Sequence, residues 1–405
     1  MREVQFGKEA IETGRPDAGS AGNGVIASLV PRSEYASLAE CTYLNQASLG
    51  LLSQPVVAAM HTFLDDVARH GNLRMSDTQE VSFFEKLRER ACRIFHAESD
   101  RIAIVSSASE ILGGIPHFIA PLAGGRIVTV STDFPAVTRP WLRAAELKEC
   151  EVQFVKDDPE RDLTSDLIAA LDERTALVAV SAVQYATGTR IDVCRLRDAT
   201  RQVGARLVVD ATQAVGATAV DAADWNADVV VSSGYKWLGG HGGVALAVMA
   251  PSLLDRMPLL PGWMGAPDPF DLDARQVRLA ADARRYTLST MSYISLIGLT
   301  EGIDRLLALG ESRIEAHAQS LAEKLIESAR KCGWQPFRDL SDPAASRHIV
   351  SLLRPGAELA ATQDALQRAN IITSSRGGRV RASLAPYNDE SDVASLVTAL
   401  EEIPA

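Results

Sequence analysis

Residues 206–249 read RLVVDATQAVGATAVDAADWNADVVVSSGYKWLGGHGGVALAVM. Two β-branched runs, RLVVD (206–210) and ADVVVSS (227–233), are apolar at successive positions, so each asks to be buried on both faces. A helix-length segment separates them, which is what two parallel neighbours need for a crossover. The third run, GVALAVM (243–249), follows with only residues 234–242 between and is therefore expected to be antiparallel. Both long runs end in chemistry: Asp210-Ala211-Thr212-Gln213 after the first, and Ser232-Ser233-Gly234-Tyr235-Lys236-Trp237 after the second.

Upstream, four more runs have the same character: RIAIVSS (101–107), RIVTVST (126–132), EVQFV (151–155) and TALVAVSAV (175–183). Together they predict an α/β fold, a mainly parallel seven-stranded sheet sandwiched by helices. Open parallel sheets bind ligands at the carboxyl ends of their strands, where loops diverge and helix N-termini converge. The remaining ends carry Ser106-Ser107-Ala108-Ser109-Glu110, Asp133-Phe134-Pro135 and Gln184-Tyr185-Ala186-Thr187-Gly188. One acid, one lysine, aromatics, hydroxyls and amides are thus expected on a single rim.

The chain of 405 residues is 46% apolar, enough for two cored domains and too much for a disordered chain. Its formal net charge of −11, without a basic stripe, argues against nucleic acid or an anionic membrane surface as partner. The five cysteines lie far apart and form no CxxC pair, so they read as reduced, mostly buried thiols. The N-terminus is charged throughout, and no window approaches a membrane span, so a cytoplasmic protein is expected. Residues 13–24, TGRPDAGSAGNG, read as an irregular lead-in. A Pro/Gly/Trp-rich passage, PLLPGWMGAPDPF (258–270), precedes two long amphipathic helices and a short α+β tail. The expected division is an N-terminal arm (1–30), a large domain (31–270) and a smaller α+β C-terminal domain (271–405).

Singly, each rim residue has a plain alternative. Lys236 can be a solvated loop lysine, Asp210 a helix cap or metal ligand, Phe134 core, and Ser109 an ordinary cap. Jointly they answer one need: an acid for a pyridine nitrogen, a lysine for a Schiff base and a hydroxyl-lined helix start for a phosphate. These are the requirements of pyridoxal 5′-phosphate.

With these motifs the sequence resembles the class V aminotransferases, fold-type-I pyridoxal phosphate enzymes that include cysteine desulfurases, kynureninase and isopenicillin N epimerase-like proteins. The resemblance runs from about Tyr43 to about Val397. It implies that Lys236 is the Schiff-base lysine and that Asp210 keeps the ring nitrogen protonated. Gln213 falls near the cofactor O3′, and Phe134 stacks on the ring. Ala108 and Ser109 at the helix start, with Ser233 and Tyr235, match phosphate contacts. Tyr185, with Gln184 beside it, stands where the desulfurases have an Asn facing O3′; the resemblance does not separate the roles of these two.

The stretch Arg379-Val380-Arg381-Ala382-Ser383-Leu384-Ala385-Pro386-Tyr387-Asn388 resembles the family's C-terminal RxSLxxYN motif, in which the residue matching Arg381 grips the substrate α-carboxylate. Asn45-Gln46-Ala47-Ser48-Leu49-Gly50 resembles its N-terminal substrate loop. Thr290, in Arg285-Tyr286-Thr287-Leu288-Ser289-Thr290, matches a threonine that completes the phosphate cup of the neighbouring subunit, which implies a homodimer with shared sites.

Two departures matter. The segment matching the desulfurases' catalytic-cysteine loop, Ile371-Ile372-Thr373-Ser374-Ser375-Arg376-Gly377-Gly378, has no cysteine, which disfavours a persulfide mechanism. The stretch Gly239-Gly240-His241-Gly242-Gly243 differs from the family's loop after the lysine, and His241 can be a second base or only a polar loop residue. The resulting expectation is an enzyme acting on an amino acid as its small-molecule substrate, of transaminase or β-lyase (C–S lyase) type. An epimerase of the isopenicillin N epimerase-like branch and a non-catalytic binding or regulatory protein are the alternatives. A nicotinamide dehydrogenase lacks its GxGxxG after the first strand and is set aside.

Overall fold

All seven runs become strands of one sheet: β1 (Ile102–Val105), β2 (Arg126–Val130), β3 (Glu151–Val155), β4 (Thr175–Ser181), β5 (Arg206–Asp210), β6 (Val229–Ser233) and β7 (Ala245–Met249). They lie in the order β1-β7-β6-β5-β4-β2-β3. β7 runs antiparallel to both its neighbours, and every other pairing is parallel. The computed structural model describes residues 25–119, 124–148 and 150–403, so the lead-in read over 13–24 lies outside the described residues.

Successive residues of a strand point to opposite faces, and the central strands split accordingly between two apolar cores. Val209 and Val230 join one cluster with Ile104, Val180 and Leu246; Val208 and Val231 join the other with Ala103, Leu177 and Ala247. The run EVQFV departs from the two-face burial read in the sequence. It is the edge strand β3, and Phe154 stands 44% exposed because no strand lies beyond it.

Helices α1 (Gln54–His70) and α2 (Asp77–Phe95) precede the sheet, while α3 (Ala108–Phe118) and α4 (Pro135–Lys148) leave the ends of β1 and β2. The two long helices are α5 (Tyr293–Leu309) and α6 (Glu311–Lys331). The sequence reading put both with the C-terminal unit. α5 instead packs on α1 and α2, and its Leu296, Leu299 and Ile303 belong to a core of the large sheet. From Ala318 onward most of the buried apolar residues form a third core, which also takes Leu44 from the N-terminal region, while Ile349, Ala385 and Tyr387 belong to a core of the large sheet.

That third core lies against a four-stranded sheet of β8 (Gln335–Pro336), β9 (Ile349–Leu353), β10 (Ser374–Arg376) and β11 (Arg379–Ser383), in the order β10-β11-β9-β8. Thr42–Tyr43 pairs in parallel with Ile371–Ile372, so the next residues, 45–50, pass from this C-terminal unit into the large domain. A buried ion pair also spans the two parts. Arg338 reaches Asp157 (3.2 Å), the carbonyls of Asp158 (2.7 Å) and Arg161 (2.9 Å), and Thr189 Oγ1 (2.9 Å). Its guanidinium is thereby satisfied on several sides, the condition under which a buried pair can be sustained. No helix among the described residues is long and apolar enough to cross a membrane.

Candidate active site

Strand ends decide what gathers. Asp210 closes β5, Ser233 closes β6 and Lys236 stands three residues further on; Tyr185 follows β4, Phe134 opens α4, and Ala108 and Ser109 open α3. All of these line one cavity, together with Ser181, Thr212, Gln213 and Tyr235. Gln184, Thr290, Arg381 and the residues 45–47 do not line it. A larger cavity of about 460 Å³ lies around Trp263 and Pro267, walled in part by Asp268, Asp271 and Asp273, and it contains no lysine. The convergent acid, amine and aromatic therefore mark the site better than size does.

Lys236 is 7% exposed, and burial lowers its amine to about 8 even though Asp210 opposes the shift; Arg381 and Arg376 lower it further. Asp210 is buried, which pushes its carboxyl up, while hydrogen bonds from Thr212, including its amide at 2.8 Å, and the charge of Lys236 hold it down. Asp210 caps no helix, and among the described residues no group of three His, Cys, Asp or Glu is placed to hold a metal. A lysine near 8 is a usable nucleophile at neutral pH, since an appreciable fraction is unprotonated. Loading of the cofactor-free protein with pyridoxal phosphate is therefore expected to quicken about tenfold from about pH 7 to about pH 9 and to level off above the amine's midpoint. Stopped-flow absorbance checks this. A lysine of ordinary basicity would instead keep accelerating, by about a hundredfold over that range.

Phe134 is 40% exposed, so it is not core. It meets Tyr185 edge-on (5.3 Å between centroids, 83°), and Lys236 Nζ stands 5.4 Å from its ring centre. Asp133 fixes this position. Its carboxylate accepts from the Phe134 amide (2.7 Å), from the amide and hydroxyl of Ser181 (2.7 and 2.5 Å) and from Gln184 Nε2 (3.2 Å), while burial pushes its pKa up to about 6. Gln184 thus supports the ring's anchor, whereas Tyr185 faces the cavity. Sequence reasoning quoted Asp133 without giving it a role; the available signal was an acid directly before an aromatic at a strand end.

At the start of α3, Ser107 Oγ accepts from the Glu110 amide (3.1 Å), and the Glu110 carboxylate folds back onto the Ser106 amide (3.1 Å) and hydroxyl. The Ala108 and Ser109 amides belong to the first turn, which has no intrahelical acceptors and favours an anion. Ser233 and Tyr235 face the same cavity and interact with each other. This donor set fits a phosphate, and the acid, amine and open ring fit the heterocycle of pyridoxal phosphate.

The loop 45–50 holds the lysine from behind. Gln46 Nε2 donates to the Lys236 carbonyl (2.8 Å), and its Oε1 accepts from the Tyr387 hydroxyl (2.8 Å) and the Leu51 amide (3.2 Å). The Gly50 amide donates to the Tyr235 carbonyl (2.9 Å). A Cβ on Gly50 would stand 2.4 Å from the Lys236 oxygen, so a side chain there would displace the lysine backbone. Gln213 lines the cavity; its Oε1 accepts from Trp237 Nε1 (2.7 Å) and its Nε2 donates to the Ala47 carbonyl (2.9 Å), which leaves one amide hydrogen for a ligand. Its own carbonyl accepts from Nε2 of His348 (2.6 Å), a histidine whose pKa burial lowers to about 4. Nothing in the sequence pattern marked His348.

Arg381 is 1% exposed, on the central strand β11. It donates to the Tyr185 carbonyl (2.6 Å), Ser48 Oγ (2.6 Å) and Asn45 Oδ1 (3.3 Å), all neutral acceptors. Its buried Nε has no partner, and burial, then Arg376, lower its pKa to about 10. A buried guanidinium without a carboxylate is costly, and a ligand anion would complete it. Thr290 is exposed, and His241 is an exposed loop residue whose Nδ1 lies 3.1 Å from the Gly242 carbonyl.

The model of the Aminotransferase class-V family matches residues 42–396. The chain is 26% identical over 305 residues to an uncharacterized aminotransferase, YcbU, of Bacillus subtilis, covering 75% of this chain and 80% of that protein. It is also 26% identical over 385 residues to a probable cysteine desulfurase of Pyrococcus abyssi, covering 90% and 94%. Among solved structures it superposes on the cystine C–S lyase C-DES with a TM-score of 0.83 over 92% of this chain and 100% of that one. Identity there is 19%, so that likeness is one of fold.

Proposed function

The chain belongs to the class V aminotransferase family of pyridoxal phosphate enzymes, and from that premise we propose that it acts on an amino acid at Cα, by transamination or by β-elimination of C–S lyase type. One observation carries this reading. A buried amine held near 8 shares a cavity with a buried acid, beside a buried guanidinium that lacks a carboxylate. When bound, the cofactor supplies an electron sink for negative charge developing at Cα.

The chain's own residues do the rest. Asp210 holds the proton of the ring nitrogen, and Phe134 stacks on the ring. The Ala108 and Ser109 amides with Ser233 and Tyr235 hold the phosphate, and the exposed Thr290 reaches that of a second copy in a homodimer. Lys236 tethers the cofactor and, once released, takes the Cα proton. Arg381, steadied by Asn45 and Ser48, orients the substrate carboxylate.

Several features favour this chemistry over a persulfide route, although relatives are named cysteine desulfurases. No cysteine lines the cavity. The five cysteines are half-buried, where the sequence reading had them mostly buried. Burial pushes the thiols of Cys41, Cys92, Cys194 and Cys332 up, that of Cys194 to about 11. A thiol so held is a poor nucleophile. Epimerisation asks for a second proton carrier on the far side of Cα, and the exposed His241 does not line the cavity.

The test is to load the protein with pyridoxal phosphate and screen amino acids and their S-substituted derivatives, reading keto acid, ammonia and pyruvate. The expected result is a yellow protein whose spectrum changes with amino acids and which releases keto acid, or ammonia with pyruvate. A protein that stays colourless in excess cofactor would overturn the reading in favour of a binding or regulatory role.

A further inference from the structure

A second cation stands beside Arg381 without a use in the chemistry above. β10 and β11 form a hairpin closed by Gly377 and Gly378, whose φ values of 54° and 75° are those of a tight turn with both central residues left-handed. In its register Ser374 faces Arg381 and Arg376 faces Arg379. Directly paired residues share a face, as do residues two apart on one strand, so Arg376, Arg379 and Arg381 are on the same face of the hairpin.

Like charges directly opposed across strands are destabilising unless something neutralises them. Arg379 finds relief on an aromatic ring, its guanidinium carbon 4.9 Å from the centre of Phe337. Arg376 does not. Its Nη1 donates to the carbonyl of adjacent Ser375 (2.8 Å), and among the described residues no carboxylate pairs with it. It is half-buried, and its charge depresses the basicity of both Lys236 and Arg381, so it acts on the same space they do.

We propose that the site selects amino acids with an acidic side chain, Arg381 taking the α-carboxylate and Arg376, two residues along the same hairpin face, taking the second carboxylate. The proposal rests on the reading of Arg381 as the α-carboxylate residue. A planar fork suits each carboxylate, and two forks at a fixed spacing discriminate by length as well as by charge.

Calorimetric titration tests this without turnover. Succinate, propionate and inorganic sulfate are titrated into the protein with and without pyridoxal phosphate, in wild type, Arg376→Gln and Arg376→Lys. Succinate is expected to bind at least about tenfold more tightly than propionate and sulfate in wild type. The advantage should vanish in Arg376→Gln and partly return in Arg376→Lys. Equal binding of succinate and propionate, an advantage that survives in Arg376→Gln, sulfate matching succinate, or no succinate binding would each overturn it. Failure to take up cofactor would instead sink the functional reading, and the cofactor-free titrations would still report on Arg376. In the loaded enzyme, the preference for aspartate or glutamate over alanine in kcat/KM should fall about tenfold or more in Arg376→Gln.

Discussion

Lys236→Ala is expected to lower turnover by at least about 10³-fold and to leave no covalently held cofactor, because in the proposed function one side chain supplies both the tether and the proton acceptor at Cα. The fold should survive. What secures this position is main-chain: Gln46 donates to the carbonyl of residue 236, and Gly50 to that of residue 235. Removing a buried amine also relieves the burial that lowers its basicity. Asp210, Phe134 and the start of α3 remain, so the variant should still bind pyridoxal phosphate without a bond to it. Mass spectrometry after borohydride reduction separates the two states: wild type retains the added mass at Lys236, and the variant does not. Full activity in the variant, or a reduced adduct on another lysine, would reject the assignment.

Arg381→Ala should raise KM for amino acids by about 30- to 1000-fold, equivalent to about 2–4 kcal/mol, since the fork is buried and in the proposed function its loss would strand the substrate carboxylate. Simple amines lacking that carboxylate should be affected far less. Steady-state kinetics on matched amine and amino-acid pairs measures the difference. Equal losses on both would reassign Arg381 to holding the Tyr185 carbonyl and the 45–48 loop, the groups it bonds in the protein alone.

Much of the site was legible because strand ends of an open sheet are a topological consequence of the apolar pattern. Runs such as RLVVD and ADVVVSS can only be buried strands, so Asp210 and Lys236 had to emerge on one rim. The edge position of β3 was not legible, since EVQFV is as apolar as an inner strand and only the pairing order exposes Phe154. The affiliation of α5 was equally hidden. An amphipathic helix shows that it has an apolar face, not which core receives it.

Residues that act through others were the least visible. Asp133 and His348 had no role in the sequence reading, and Gln184 was a candidate cofactor contact; what they hold appears only when hydrogen bonds are traced: Asp133 and Gln184 the seat of Phe134, His348 the Gln213 carbonyl. Arg376 lay in a segment first remarked on for lacking cysteine, and its place beside Arg381 follows from strand register.

The sequence by itself determined the doubly covered sheet and the single antiparallel strand, because local periodicity and short spacing set these, and its resemblance to the family pointed to Asp210, Lys236, Phe134 and Arg381 as candidates for the acid, the amine, the aromatic and the carboxylate-binding arginine. Only the tertiary structure decided how deeply each charge is buried and what neutralises it. Burial and partners belong to segments far apart in the chain: burial, then Asp210, Arg381 and Arg376, set the basicity of Lys236, while Asn45, Ser48 and Tyr185 give the buried Arg381 neutral acceptors only.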